Sequence, residues 1–169
     1  MATLYFITEV YLKNQTGISL NVDSQDIMPH VQVASDLYMS LVLGQEYYDY
    51  LLVKYNAQTL SATELLLVEH IQPSVAWRAG ELALPFSAIQ IKNKGPQVQS
   101  GDFSSAPDRG GLNTLIHATK GRAEYYENRV KRFLKLNKID YPLWTAASNL
   151  VDTPPDKRSS WDGNGLTFI

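Results

Sequence analysis

The sequence predicts an all-α fold: a small bundle of four to five helices, carrying a long polar loop or hairpin and followed by an extended C-terminal arm. Three observations carry this expectation. Apolar residues recur at three- and four-residue spacing through long stretches, which is the period of an amphipathic helix. Cap and stop residues stand where those stretches begin and end. The period lapses twice, at "KNKGPQVQSGDFSSAP" (92–107) and again from Lys138 onward.

The first predicted helix opens at Asp23, an N-cap, with Asp26 in the first turn, where the helix dipole favours an acid. Ile27, Val31, Ala34, Tyr38, Leu41 and Val42 form its inward stripe. Pro29 is tolerated by its place near the helix start, and Gly44 ends the helix. "QEYYDYLLVKYN" (45–56) is the second helix, with Tyr48, Leu51, Leu52 and Tyr55 on one side. The third begins at Ser61 and Glu64, in capping-box spacing, and carries Leu65, Val68, Ile71, Val75, Ala79 and Leu82. Its stripe runs through Pro73, where a proline must kink or split a helix; the stretch is read as one bent helix, with a second break at Pro85 left open.

The stretch "ALPFSAIQIKNKGPQVQSG" (83–101) changes character halfway, from apolar to lysine, amide and glycine. A connection as long as 92–107 is unusual in a compact domain, and such loops tend to be functional or disordered. The last helix, "DRGGLNTLIHATKGRAEYYENRVKRFLKLNK", sets Leu112, Leu115, Ala118 or Thr119, Ala123, Tyr126, Val130, Phe133 and Leu134 inward. Gly121 weakens it modestly, and its outer face is charged. The organisation expected is a helical domain over 1–137 and an arm over 138–169. Tyr141, Leu143, Trp144, Trp161 and Phe168 are apolar anchors on the otherwise breaker-rich arm. Two readings of the arm stand side by side, docking on a partner or folding back onto the bundle.

At 169 residues the chain is long enough for one domain that buries about 70% of its unfolded surface. Its net charge of −2 gives no bulk electrostatic case for nucleic acid. The absence of cysteine excludes disulfides and thiolate metal sites. "MATLYFITEVYLKNQ" has no basic segment leading into an apolar one, so no signal peptide is expected, and no apolar run reaches the ~20 residues of a membrane span.

Catalytic patterns are missing. His30, His70 and His117 fall on three different predicted helices, none with a second ligand at zinc spacing. There is no nucleophile elbow, phosphate loop or dinucleotide fingerprint, and "DGNG" at 162–165 is a turn. No catalytic residue, metal or cofactor is expected, and the chain is not read as an enzyme. Two basic groups remain. Lys120, Arg122, Arg129, Lys131 and Arg132 alternate with Glu124 and Glu127, the pattern of a solvated or subunit-facing helix. Lys92 and Lys94 lie among amides in the polar loop.

Taken in order, "YLKNQTGISLNVDSQDIMPHVQVASDLYMSLVLGQEYYDYLL", "IQPSVAWRAGELALPFSAIQIKNKG" and "GRAEYYENRVKRFL" resemble the head–tail connector (adaptor) proteins of tailed bacteriophages, nearest to those of phages of Bacteroidetes, the crAss-like phages among them. The resemblance covers residues 4–135 and rests on sequence pattern, not on a catalytic signature. It implies a structural virion protein of the head–tail junction, present in the host cytoplasm during assembly. Such a protein forms a ring with copies of itself, usually twelvefold, beneath the portal protein, extends the DNA channel and offers a platform to the next neck or tail ring protein. On this reading Lys92, Asn93, Lys94, Gly95, Gln97 and Gln99 line the channel, in transient non-specific contact with genomic DNA, or a neighbouring subunit. Tyr141, Trp144, Trp161 and Phe168 serve as partner-binding anchors. Arg122, Glu124, Glu127, Arg129 and Arg132 form a subunit-interface face. The alternative is a DNA-binding or packaging accessory protein that works through the lysine loop or the basic face of the last helix.

Overall fold

The structure, a computed structural model, describes residues 5–92, 95–98 and 109–144, with side chains at 5–86 and 110–144. It is an all-α bundle. The elements are α1 (Glu9–Thr16), α2 (Ser24–Ala34), a π-helical turn (Ser35–Met39), α3 (Ser40–Leu43), α4 (Gln45–Asn56), α5 (Ala62–Ala88), a hairpin of β1 (Ile89–Lys92) and β2 (Gly95–Val98), and α6 (Arg109–Leu136). Because α2, the π turn and α3 are continuous, the described residues form five helical rods. The long α5 is the spine, with α6, α2 and α1 packed along it.

The caps act as their chemistry dictates. Asp23 accepts the Gln25 amide at 3.0 Å and starts α2. Ser61 and Glu64 close a reciprocal capping box at the start of α5: the Glu64 amide donates to Ser61 Oγ, and the Ser61 amide donates to Glu64 Oε2 at 2.7 Å. Gly44, at φ 81° and ψ 142°, makes the turn between α3 and α4 in a region that side chains with a Cβ avoid. The first helix, α1, was not foreseen. Thr8 caps it, accepting the Tyr11 amide, and Gly17 ends it at φ 72°. Its buried Lys13 donates to Leu20 O at 2.9 Å and Val22 O at 2.6 Å and pairs with Glu9, so one ammonium group holds the loop that leads into α2.

Two expectations about the helices are corrected, the break at Pro85 and the inward placing of Leu41, Leu65 and Leu115. The α5 backbone stays helical through both Pro73 and Pro85. Each proline removes one ladder bond, but Ile71, Val75 and Ala79 are buried on either side of Pro73 and hold the rod together. Pro29 sits in the second turn of α2, and that helix continues past it as well. Leu41 points outward, because the π turn adds residues to one coil and shifts the phase, bringing Met39, Val42 and Leu43 inward below Ile27, Val31 and Ala34. Leu65 and Leu115 are also outward. The start of α5 turns Glu64, Leu67 and Val68 to the interior instead, and among its described side chains α6 has none buried before Thr119.

Of the two readings of the arm, folding back onto the bundle holds for Tyr141 and Trp144. Asn137–Asp140 form a turn and residues 142–144 a helical turn that returns the chain to the bundle. Tyr141 is 3% exposed and donates to Thr63 O at 2.8 Å; Trp144 is 7% exposed, and its Nε1 donates to Val42 O at 3.1 Å. Val42 lies in the last turn of α3, where carbonyls lack an intrahelical partner, and both rings join the main core. The packed unit therefore extends through Trp144, past the border expected at 137. Trp161 and Phe168, the other two anchors, lie outside the described residues.

Candidate functional site

Where α5 meets α6, a buried ion network replaces part of the apolar seam. Arg78 is 5% exposed; its Nη1 donates to Glu81 Oε2 and its Nη2 to Glu127 Oε2, each at 2.7 Å. The guanidinium also lies 4.0 Å over the ring of Tyr38, in the π turn. Glu127 accepts a second bond, from Lys131 at 2.7 Å. Burial works against the charge on Glu127, but Lys131 and Arg78 outweigh it and hold the carboxyl below its ordinary range. Three rods are thereby fixed by one cation: the α2–α3 rod through Tyr38, α5 through Glu81 and α6 through Glu127.

This network corrects the charged face expected on α6. Glu127 turns inward to Arg78 and is not available to a neighbour. Glu124 stays on the outside, 3.9 Å from Lys120. Arg122 is exposed, with its guanidinium 4.7 Å over the ring of Trp77, whose buried Nε1 has no hydrogen-bond acceptor among the described residues. Arg129 and Arg132 are exposed and form no ion pair among the described residues. Together with Arg122 and Lys135 they remain open to solvent.

In the loop expected at 92–107, Lys92 ends β1, and Gly95 and Gln97 lie in β2, with Lys92 paired to Gly95 and Gln90 to Gln97 in an antiparallel register. Asn93, Lys94 and Gln99 lie outside the described residues. The histidines stay apart: His30 stacks on Phe86 at 5.0 Å, His70 on Phe133 at 4.2 Å, and His117 is exposed on α6. Burial lowers the pKa of His30, and burial together with Arg129 lowers that of His70. No cluster of three or more His, Asp or Glu with metal-binding geometry occurs among the described residues. No described helix is long and apolar enough to cross a membrane.

Sequence reading overlooked the exposed apolar residues that accompany the charges. Leu37, Leu41, Tyr50 and Val53 on the α2–α4 side and Tyr125, Leu136 and Ile139 on the α6 side are all exposed, with Leu136 at 78%.

The fold and these surfaces define a small helical bundle whose polar groups are spent on internal bracing and whose outer helices carry mixed apolar and charged faces. The chain belongs to DUF6712, a family of unknown function, whose match runs over residues 35–154, from the π turn through the whole of α6 and beyond Trp144. No curated protein and no solved structure matches it.

Proposed function

We propose that this protein is a structural assembly subunit, a head–tail connector that forms a ring beneath the portal of a tailed bacteriophage, extends the DNA channel and presents a platform to the next neck or tail component. The reading is carried by the ordered resemblance over residues 4–135, which spans all five helical rods. Two features of the bundle support it. Large apolar side chains are exposed on α2–α4 and on α6, as on a subunit that has neighbours. The hairpin β1–β2 extends from the end of α5, the element at the centre of the bundle, as a channel- or neighbour-facing loop requires.

Quantitative mass spectrometry of purified virions tests this reading. The expected result is a stoichiometric virion component at a ring's worth of copies per particle, retained when tails are dissociated from heads with the portal. A protein abundant in infected cells and missing from virions contradicts it. DNA affinity that falls steeply with salt, in a soluble monomer, is the result that favours the packaging-accessory alternative.

A further inference from the structure

The charges of this chain are sorted along the sequence, although α4 closes with Lys54, which lies against Tyr50 and is paired to Glu64 at 2.7 Å. Residues 14–53 carry Asp23, Asp26, Asp36, Glu46 and Asp49 and no lysine or arginine, whereas residues 109–138 carry eight lysines and arginines against Glu124 and Glu127. Exposed residues on one helix of each region form a stripe at helical spacing. On α4 the stripe is Glu46, Asp49, Tyr50 and Val53; on α6 it is Tyr125, Arg129, Arg132 and Leu136. Each combines two like charges with two apolar side chains, and the charges are opposite. Glu46, Asp49, Arg129 and Arg132 have no ion-pair partner among the described residues. Among the described residues Asp49 accepts only a neutral bond, from Gln45.

We propose that the α4 stripe of one copy docks on the α6 stripe of another, head to tail. The inference rests on the self-assembly in the function proposed above and deepens it by naming the two surfaces that meet. Like stripes repel, so a two-fold pair built from α4 on α4 or α6 on α6 is disfavoured. Pairing unlike stripes joins carboxylates to guanidiniums and covers Tyr50 and Val53 with Tyr125 and Leu136. A contact between two different patches propagates from copy to copy, and it closes into a ring when the rotation between copies allows. A nucleic acid on α6 accounts for its arginines but leaves the α4 stripe uncovered; a second copy accounts for both.

Sedimentation velocity and mass photometry of the full chain, at low and at high ionic strength, test the proposal. Wild-type protein is expected to form concentration-dependent oligomers larger than a dimer at low ionic strength and to retreat as salt screens the stripes. R129E/R132E and E46K/D49K, all at exposed positions, each weaken association about tenfold or more. Circular dichroism checks that both variants keep their fold. Mixed in equal amounts, they associate again, because the reversed stripes face opposite charges. The proposal is overturned by a wild type that stays monomeric at low ionic strength, by assembly that stops at a dimer, or by variants that assemble like the wild type. It is also overturned if duplex DNA binds α6 and R129E/R132E removes that binding without changing self-association. A ring on the portal that neither variant disturbs removes this inference and leaves the connector reading in place. Salt-sensitive open chains that mixing restores keep this inference and remove the ring.

Discussion

Arg78 on α5 and Glu127 on α6 are joined at 2.7 Å across the main helical seam. Both side chains are largely removed from solvent, so the guanidinium is compensated by carboxylates and not by water. Breaking such a pair from one side is expensive, because the remaining charges lose their partner without regaining hydration.

Arg78→Met is therefore expected to cost about 3 kcal/mol of stability in urea unfolding, by leaving Glu81 and Glu127 facing each other across the seam. Adding Glu127→Leu to that variant restores a substantial part of the loss. A loss below about 0.5 kcal/mol in the single variant contradicts the bracing role, since that is the scale of an exposed pair.

Acid should loosen the start of α5. Burial disfavours the charged form of Glu64, but Lys54, at 2.7 Å, and the Ser61 amide and hydroxyl outweigh it and hold the carboxyl at about 2. A folded pKa below the unfolded value means stability that is complete above the unfolded value, near 4.3, and lost as pH falls through it toward the folded value. Unfolding free energy measured from pH 6 down to pH 2 is expected to decline mainly below about pH 5, and Glu64→Gln to flatten that decline. At neutral pH the substitution costs roughly 1–2 kcal/mol, the worth of a cap together with a paired charge. An unchanged slope in the variant contradicts the assignment.

The helices from α2 onward were the legible part of this sequence, because both their period and their caps are local. Asp23, Gly44 and the Ser61–Glu64 box declare their roles within three or four residues. The π turn at Ser35–Met39 is not local in that sense, and it reverses the expected placement of Leu41 by shifting the phase between two otherwise regular stripes. The Arg78–Glu127 pair spans 49 positions, and nothing near either residue announces it. Tyr141 and Trp144 were visible as anchors, but an anchor in a proline-rich tail looks the same whether its pocket belongs to a neighbour or to its own bundle. The pocket is made by Thr63 and Val42, far upstream, so only the fold could decide.

That decision has a measurable consequence. Ending the chain at residue 137 removes both buried rings and is expected to cost about 5 kcal/mol or more and to lower the melting temperature markedly. Trp144→Phe keeps most of the packing but loses the bond to Val42 O, for about 1 kcal/mol. A truncated chain that melts like the full one contradicts the placement of Tyr141 and Trp144 in the core.

Gly121 offers a substitution in the other direction. It lies inside α6, exposed, and a Cβ built there meets nothing within 4 Å. Gly121→Ala is expected to stabilise the monomer by roughly 0.5–1 kcal/mol, the difference in helix propensity. A loss of stability contradicts the open surroundings described.

The most direct test of the central proposal is mass photometry of the purified protein, alone and mixed with the portal complex that the connector reading assigns to it, at low and physiological salt. The connector account predicts a discrete step in portal mass equal to a complete ring of added subunits. A portal whose mass is unchanged at both salt concentrations contradicts it.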